Sequence, residues 1–384
     1  MNIGIDIRNI GKKRTGDETV FFHLAQLLPK IDTNNNYFLL IENRSEEEIS
    51  FLRKILDIEN EKNVSIEMCG LGNKFIWNSF SLPRASRRLR LDIYHTQYII
   101  PFFMPSYTKI VTHIHDISFA RLPRYISFKD LFFLRVLIPR SLRKADKIIA
   151  VSEFTRKEII TYYGISPSKV IVIPNGIGKD FLSLQFSQKE ALEIRKKYGI
   201  GKEYFLHIGT LQPRKNIPFL LEAFALFHRR SPSVQLILTG GRNFPHYDKK
   251  IDALIEKYSL QDSVLFLGYI ENKELISLID TAQCVVSTSM YEGFGLPILE
   301  SMARGVPVVC SAIPAYKEVS GGICLLHSAS GDIATLSDLL YSVVANKDLR
   351  ERFQSQGRLR VKLFLWEESV KKLSCLYTEM GNNI

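Results

Sequence analysis

Two carboxylates eight positions apart, Glu292 and Glu300, flank a turn in the stretch Ser287-Thr-Ser-Met-Tyr-Glu292-Gly-Phe-Gly-Leu-Pro-Ile-Leu-Glu300. Because this stretch follows the apolar run Ala282 to Val286 and carries Gly293, Gly295 and Pro297, it reads as strand, tight turn, helix and then a further strand. Glu292 and Glu300 then stand at opposite ends of the turn and helix. Backbone N–H groups around Phe294, Gly295 and Leu296 would be free at that helix N-terminus, where the helix dipole also favours an anion. The same residues also fit a plain Gly-Pro turn joining two core elements, with two solvated glutamates.

The elements that must position these groups decide between the two readings. Tyr204 to Ile208 reads as a strand leading into the loop Gly209-Thr-Leu-Gln-Pro-Arg-Lys-Asn216, and Ile217 to Arg230 as a helix with Leu220, Leu221, Phe224 and Phe227 on one side. Further strands, Gln235 to Thr239, Val264 to Leu267 and Cys284 to Ser287, end at Gly240-Gly241, at Gly268-Tyr269 and at the opening stretch. A crevice is expected at the carboxyl ends of these strands. Two adjacent cations, Arg214 and Lys215, beside a helix N-terminus suit a diphosphate, and Glu300 suits the paired hydroxyls of a ribose. Together they describe a nucleotide-diphosphate site.

The first half has the same alternation. Residues 2 to 7, Tyr37 to Ile41, Val64 to Met68, Ile93 to Thr96, Lys109 to His113, Lys147 to Val151 and Val170 to Ile173 read as strands, with helical periodicity between several of them. Gly16 lies in the first strand-to-helix turn but is far from a full G-x-G-x-x-G, and is a weak nucleotide signal by itself. Ser152 is placed to cap the helix that runs to Tyr163, and Pro174-Asn175-Gly176 reads as a turn. Periodicity weakens and charge rises from about Gly178 to Gly201, where a linker is expected. The expected division is an N-terminal Rossmann-like domain over 1–180 and a C-terminal Rossmann-like domain, holding the nucleotide-diphosphate site, over 181–365. A last helix, about 366–380, is expected to pack back onto the first domain.

At 384 residues the chain exceeds what one core usually holds, so two domains follow, and 46% apolar with 24% charged residues is the composition of a folded soluble protein. The N-terminus lacks the basic region and long apolar core of a signal peptide, and no apolar run is long enough to span a bilayer. A cytoplasmic protein is expected, with peripheral attachment at the inner face of the cell membrane as an added option. Cysteines 69, 284, 310, 324 and 375 form no Cys-x-x-Cys pair, and the histidines no ligand cluster, which argues against a disulfide framework or a structural zinc. Reduced core thiols are expected.

The net charge of +11 is unevenly spread: residues 51–150 hold 17 basic and 8 acidic side chains, whereas residues 251–300 hold 2 and 8. The first half therefore carries the positive field, which suits nucleic acid, anionic lipid or a phosphorylated substrate. Arg84-Ala-Ser-Arg-Arg-Leu-Arg90, the apolar loop Tyr98 to Pro105 and the helix Phe128 to Leu142 interleave basic and aromatic residues. They suit either a membrane-surface helix or a core helix with a cationic outer face. No recognised nucleic-acid motif accompanies the charge.

With these motifs in hand, the chain resembles glycosyltransferase family 4, the retaining group of the GT-B fold, and its Gly-Thr-Leu-x-Pro-Arg-Lys-Asn pattern is similar to O-antigen-type mannosyltransferases. The Glu292-x7-Glu300 segment matches the family's E-x7-E motif. The resemblance implies an α/β fold of two Rossmann-like domains facing each other across a cleft. It also implies a metal-independent transfer of a hexose from a nucleotide diphosphate, which is a substrate and not a cofactor, to a glycan or lipid-linked acceptor. GDP-mannose is the expected donor, with UDP-sugars and dTDP-rhamnose as alternatives; residues 84–144 are the candidate contact with an anionic membrane, and no nucleic-acid partner is expected.

Carried over by position, Glu300 would hold the ribose, Glu292 the donor sugar, and Arg214 and Lys215 the diphosphate. Gly295 and Leu296 would approach sugar or phosphate oxygens, Gly293 and Phe294 the same turn, and Gly268 and Tyr269 the base. Gly16, Gly209 and Gly240 would line the donor. His115 matches a position near the reaction centre, although it and His113 also fit strand-end histidines bonded to backbone. Thr210 departs from the family, where arginine is common, and leaves Arg214 and Lys215 as the main cations. Asp17 and Glu18 would repel phosphates, so both are expected to face acceptor or solvent. A nucleotide-sugar epimerase and a basic nucleic-acid-binding protein are the alternative functions.

Overall fold

A computed structural model of the chain describes residues 1–11, 16–70, 74–242, 246–328 and 331–382. They form two compact units, residues 1–120, 128–176 and 364–384 in the first and residues 121–127 with 177–363 in the second.

The first unit is built on seven parallel strands: β1 (Asn2–Asp6), β2 (Asn36–Ile41), β3 (Val64–Met68), β4 (Ile93–Gln97), β5 (Lys109–Ile114), β6 (Lys147–Ala150) and β7 (Val170–Val172), in the order β3-β2-β1-β4-β5-β6-β7. Strands buried on both faces are apolar along most of their length, as Ile3, Ile5, Leu39, Ile41, Ile93 and Val111 are here. The strand order reverses between β1 and β4, which places a topological switch point at their carboxyl ends.

Helices α1 (Gly16–Ile31), α2 (Glu46–Leu56), α3 (Leu82–Leu89), α4 (Phe128–Lys144) and α5 (Glu153–Tyr163) connect these strands. Ser45 and Glu48 form a capping box at the start of α2, and Ser152 caps α5 by accepting the Thr155 N–H at 3.0 Å. The C-terminal helix Trp366–Gly381 belongs to this unit. Its Trp366, Val370, Leu373, Leu376 and Tyr377 join the core formed by α1 and β1. Gly176 makes the docking close, since a Cβ there would sit 2.2 Å from the Trp366 nitrogen. The turn at Asn175-Gly176 therefore seats a helix, which its sequence does not signal.

The second unit has six parallel strands, β8 (Glu203–His207), β9 (Val234–Thr239), β10 (Val264–Gly268), β11 (Cys284–Ser287), β12 (Val308–Ser311) and β13 (Leu325–His327), in the order β10-β9-β8-β11-β12-β13. Helix α6 (Ile217–Arg230) buries Leu220, Leu221, Phe224 and Phe227, and the Phe227 ring meets Phe205 of β8 at 4.9 Å. Helix α7 (Leu296–Ala303) follows the glycine turn after β11. The stretch from Gly178 to Gly201 holds helices Lys179–Ser183 and Gln188–Lys197, the second opened by a capping box of Ser187 and Glu190.

Cys284, Cys310 and Cys324 are buried, Cys69 is half-buried, and Cys375 is exposed on the C-terminal helix, so the last is not a core residue. Among the described residues no helix is long and apolar enough to cross a membrane, and no His, Cys, Asp and Glu side chains group as a metal site would require.

Candidate functional site

The switch point of the second sheet lies between β8 and β11, and the two loops that leave it carry the expected donor residues. After β8 the chain runs through Gly209 and Thr210 to a single 3-10 turn at Pro213–Lys215, and Asn216 then takes a left-handed conformation (φ 54°) to start α6. After β11, Thr288 to Glu292 form the facing loop. The two are laced together: Met290 N–H donates to Arg214 O at 2.9 Å, and Thr288 Oγ1 to Lys215 O at 2.9 Å and to Asn216 O at 3.1 Å.

Glu292 is the centre of this lacing. Its Oε1 receives Lys215 Nζ at 2.5 Å, Arg214 Nη1 at 2.8 Å and Ser289 Oγ at 2.9 Å. Burial alone would raise its pKa, but the two cations outweigh it and hold the carboxyl down at about 2. Both cations assigned to a diphosphate are thus already paired with a carboxylate. His207, at the end of β8, lies beneath: its Nδ1 is 3.0 Å from Val286 O, and burial together with Lys215 lowers it to about 4, so it is neutral near pH 7.

Glu300 has the opposite environment. It is the fifth residue of α7 and not its end, it is half-buried, and its carboxylate has no hydrogen bond or ion pair among the described residues. Burial without compensation pushes it up to about 7. An unsatisfied, half-buried acceptor of this kind suits a ligand's hydroxyl donors.

The turn between the two carboxylates is shaped by Gly295, the residue capping α7. Its φ is +118°, and a Cβ would sit 2.8 Å from Tyr316 Cε1. Tyr316 is itself fixed by Ser287, with 2.7 Å between the hydroxyls. The Gly295 and Leu296 N–H groups precede the first intrahelical bond, from Ile298 N–H to Gly295 O. Gly293 and Phe294 of the same turn are buried.

Gly209, Gly240 and Gly268 end β8, β9 and β10 side by side. Gly209 N–H donates to Thr239 Oγ1 at 3.0 Å and Gly240 N–H to Gly268 O at 2.8 Å. Thr210 is half-buried beside them, and Tyr269 is 55% exposed on the rim. The second unit therefore brings Gly209, Thr210, Arg214, Lys215, Gly240, Gly268, Tyr269, the Gly293–Leu296 turn, Glu292 and Glu300 to the carboxyl edge of one sheet. Thr288, Ser289, Tyr316 and His207 complete the arrangement. The hydroxyls of Thr288 and Ser289 beside Glu292 were a readable signal, whereas Tyr316 lies too far along the chain to give one.

His115 and Gly16 belong to the first unit. Gly16 is the exposed first residue of α1. His115 follows β5, is 8% exposed, and has Nε2 3.1 Å from Gln97 Oε1 and 3.9 Å from Asp17 Oδ1. Its ring stacks on His113 at 4.8 Å, His113 stacks on His95 at 5.7 Å, and His95 Nδ1 lies 2.6 Å from the Tyr377 hydroxyl of the C-terminal helix. Burial lowers His95 to about 3 and His113 well below the ordinary value, and both stay neutral. Among the described residues neither ring nitrogen of His113 has a hydrogen-bond partner, so no described backbone group holds that histidine.

Glu18 departs from expectation. It is buried and accepts the Gly11 N–H at 2.9 Å, tying the first loop to α1, and so does not face solvent. Asp17 stays half-exposed beside His115.

Comparison with known proteins identifies the family. The family described as "Glycosyl transferases group 1" matches residues 190–360, and "Glycosyltransferase Family 4" matches residues 16–181. O-antigen chain mannosyltransferase B of Escherichia coli is 30% identical over 366 residues, 94% of this chain and 90% of that protein. The serotype-specific mannosyltransferase WbdA of Escherichia coli is 29% identical over 242 residues, 58% of this chain and only 29% of that longer protein. Among solved structures, HepE of Anabaena in complex with UDP-glucose superposes with a TM-score of 0.76 at 19% identity, covering 99% of this chain and 100% of that one, which shows the shared GT-B fold of two Rossmann-like domains. The chain belongs to glycosyltransferase family 4, the glycosyl transferases group 1, and is a glycosyltransferase.

Proposed function

We propose that the chain is a retaining mannosyltransferase that moves mannose from GDP-mannose to a hydroxyl of a lipid-linked or cell-envelope glycan, without a metal ion. The observation that carries this reading is the Lys215–Arg214–Glu292 cluster at the switch point of the second sheet, beside the open N-terminus of α7. As the donor's glycosidic bond breaks, negative charge develops on the diphosphate. Fixed cations and N–H groups stabilise that charge more than the ground state, and in this reading they take the place of a metal.

For the diphosphate to use Arg214 and Lys215, it shares them with Glu292, whose carboxylate is then released toward the sugar hydroxyls. Glu300 accepts the ribose hydroxyls, and Gly268 with Tyr269 borders the base. The acceptor oxygen bonds to the anomeric carbon on the face the diphosphate leaves, and its proton passes to a diphosphate oxygen. His115 is assigned by resemblance to a position near the donor sugar and the reaction centre. Mannose is favoured because O-antigen chain mannosyltransferase B aligns over nearly the full length of both chains.

A thermal-shift panel of GDP, UDP, dTDP and ADP, each with and without its sugar, tests the donor. GDP and GDP-mannose should raise the midpoint most, and a larger shift with UDP or dTDP would replace the base. Incubation with donor alone should give no epimerised sugar, and NMR of the glycan product should show the donor's anomeric configuration. Glu292→Ala should lower kcat by at least about a hundredfold, the scale of removing one positioned polar group from a transition state; near-normal kcat would end its assigned role.

A further inference from the structure

Helix α4 departs from the rule that a surface helix turns its apolar stripe inward. Phe128 is 84% exposed, Phe132 59%, Phe133 60% and Val136 53%, whereas its buried residues, Ile138, Ser141 and Leu142, all lie in the second half. The change comes at Pro139, which has no N–H for the Arg135 carbonyl. Phe128, Phe132 and Val136 follow at four-residue steps with Phe133 on the adjoining row, so all four share one side of the helix.

Exposed aromatics also stand in a loop fastened to α4. Phe103 and Tyr107, 60% and 49% exposed, come from the loop between β4 and β5. That loop is fastened to α4 by Arg140 Nη1 on Ile100 O at 3.0 Å and Lys144 Nζ on Phe102 O at 3.2 Å. Arg87 of α3 holds it from the other side, donating to Phe103 O at 3.3 Å. The same helices carry exposed cations: Lys129, Arg135 and Arg143 on α4, and Arg84 and Arg87 on α3. Asp130 is the single acidic residue of α4.

We infer that this surface docks on an anionic lipid bilayer, with Phe128, Phe132 and Phe133 entering the boundary between headgroups and acyl chains and the cations meeting the headgroups. A second copy of the chain is the poorer occupant. A two-fold contact would set this cationic rim against itself, whereas an anionic headgroup layer complements it. The inference deepens the reading of a lipid-linked acceptor, and the docking itself is independent of which donor the second unit takes.

Flotation of the full chain with phosphatidylcholine vesicles, with and without phosphatidylglycerol, tests it. Binding should be at least about tenfold stronger with phosphatidylglycerol and should weaken as salt is raised. The double variant Phe132→Ser/Phe133→Ser should lose at least about tenfold in binding, since insertion depends on buried apolar area. Its thermal midpoint and GDP-induced shift should be unchanged, because both side chains are exposed. Arg135→Glu should reduce the preference for anionic vesicles.

Absence of flotation, or equal binding to both vesicles, overturns the inference. So does a wild-type dimer in light scattering that the double variant turns into a monomer, which would assign the face to a second copy. A normal GDP shift alongside failed flotation would leave the donor reading intact, and the converse would leave the docking intact.

Discussion

Glu292 and Glu300 are the same side chain eight residues apart, and their surroundings drive them in opposite directions. Glu300 has a folded-state pKa of about 7 against an ordinary 4.5, so the folded protein holds its proton more tightly than the unfolded chain. Stability attributable to this group therefore falls as pH rises from about 4.5 to about 7 and stays lower above that, by up to about 3 kcal/mol. Glu300→Gln should melt higher than the parent at pH 8 and about equally at pH 4.5, in paired thermal scans. GDP-mannose affinity in the parent should rise with pH through about 7, and titration calorimetry should show that rise abolished in the variant. Glu292 has the reverse sign: its pKa is held down at about 2, so its contribution is present above about 4.5 and lost as pH falls toward 2. Glu292→Gln leaves Lys215 and Arg214 without their carboxylate in a largely buried site. It should lower stability by about 3 kcal/mol at pH 7, read from urea unfolding.

At the scale of elements, the carboxyl edge of the second sheet depends on how closely strand ends and loops approach. Gly240 has φ +90°, and a Cβ on it would sit 2.4 Å from Gly209 O. Gly240→Ala adds a left-handed penalty to a backbone collision and should cost about 2 kcal/mol or more, with a smaller GDP-induced thermal shift because β8 and β9 must part. Gly16 is the control, since a Cβ there meets no described residue within 4 Å. Gly16→Ala should leave urea unfolding unchanged within about 0.5 kcal/mol. Both glycines are equally visible in the sequence, and only the distance to a neighbouring carbonyl separates them.

At the scale of the whole molecule, the first unit is not one continuous segment. Its core closes only when Trp366, Val370, Leu373, Leu376 and Tyr377 return from the far end of the chain. Ending the chain at Leu363 should expose α1 and abolish the cooperative unfolding of the first unit, since several large side chains leave one core together. The second unit, residues 121–127 with 177–363, should keep its own transition in calorimetry and its stabilisation by GDP.

Most of the strands were legible because a buried parallel strand must be apolar and short: Tyr204 to Ile208 and Cys284 to Ser287 were marked out by composition. The gathering of Glu292, Glu300, Arg214-Lys215 and the strand-end glycines at one edge was legible because each follows a strand, and strands of one parallel sheet end on one side. The sequence by itself therefore determined the fold class and the chemistry available at that edge. Only the tertiary structure decided who pairs with whom. It placed both cations on Glu292, left Glu300 without a partner among the described residues, turned Glu18 inward onto Gly11, and stacked His115 on His113 and His113 on His95. These outcomes depend on distances of a few ångströms between residues far apart in the chain, and charge type and periodicity do not encode such distances.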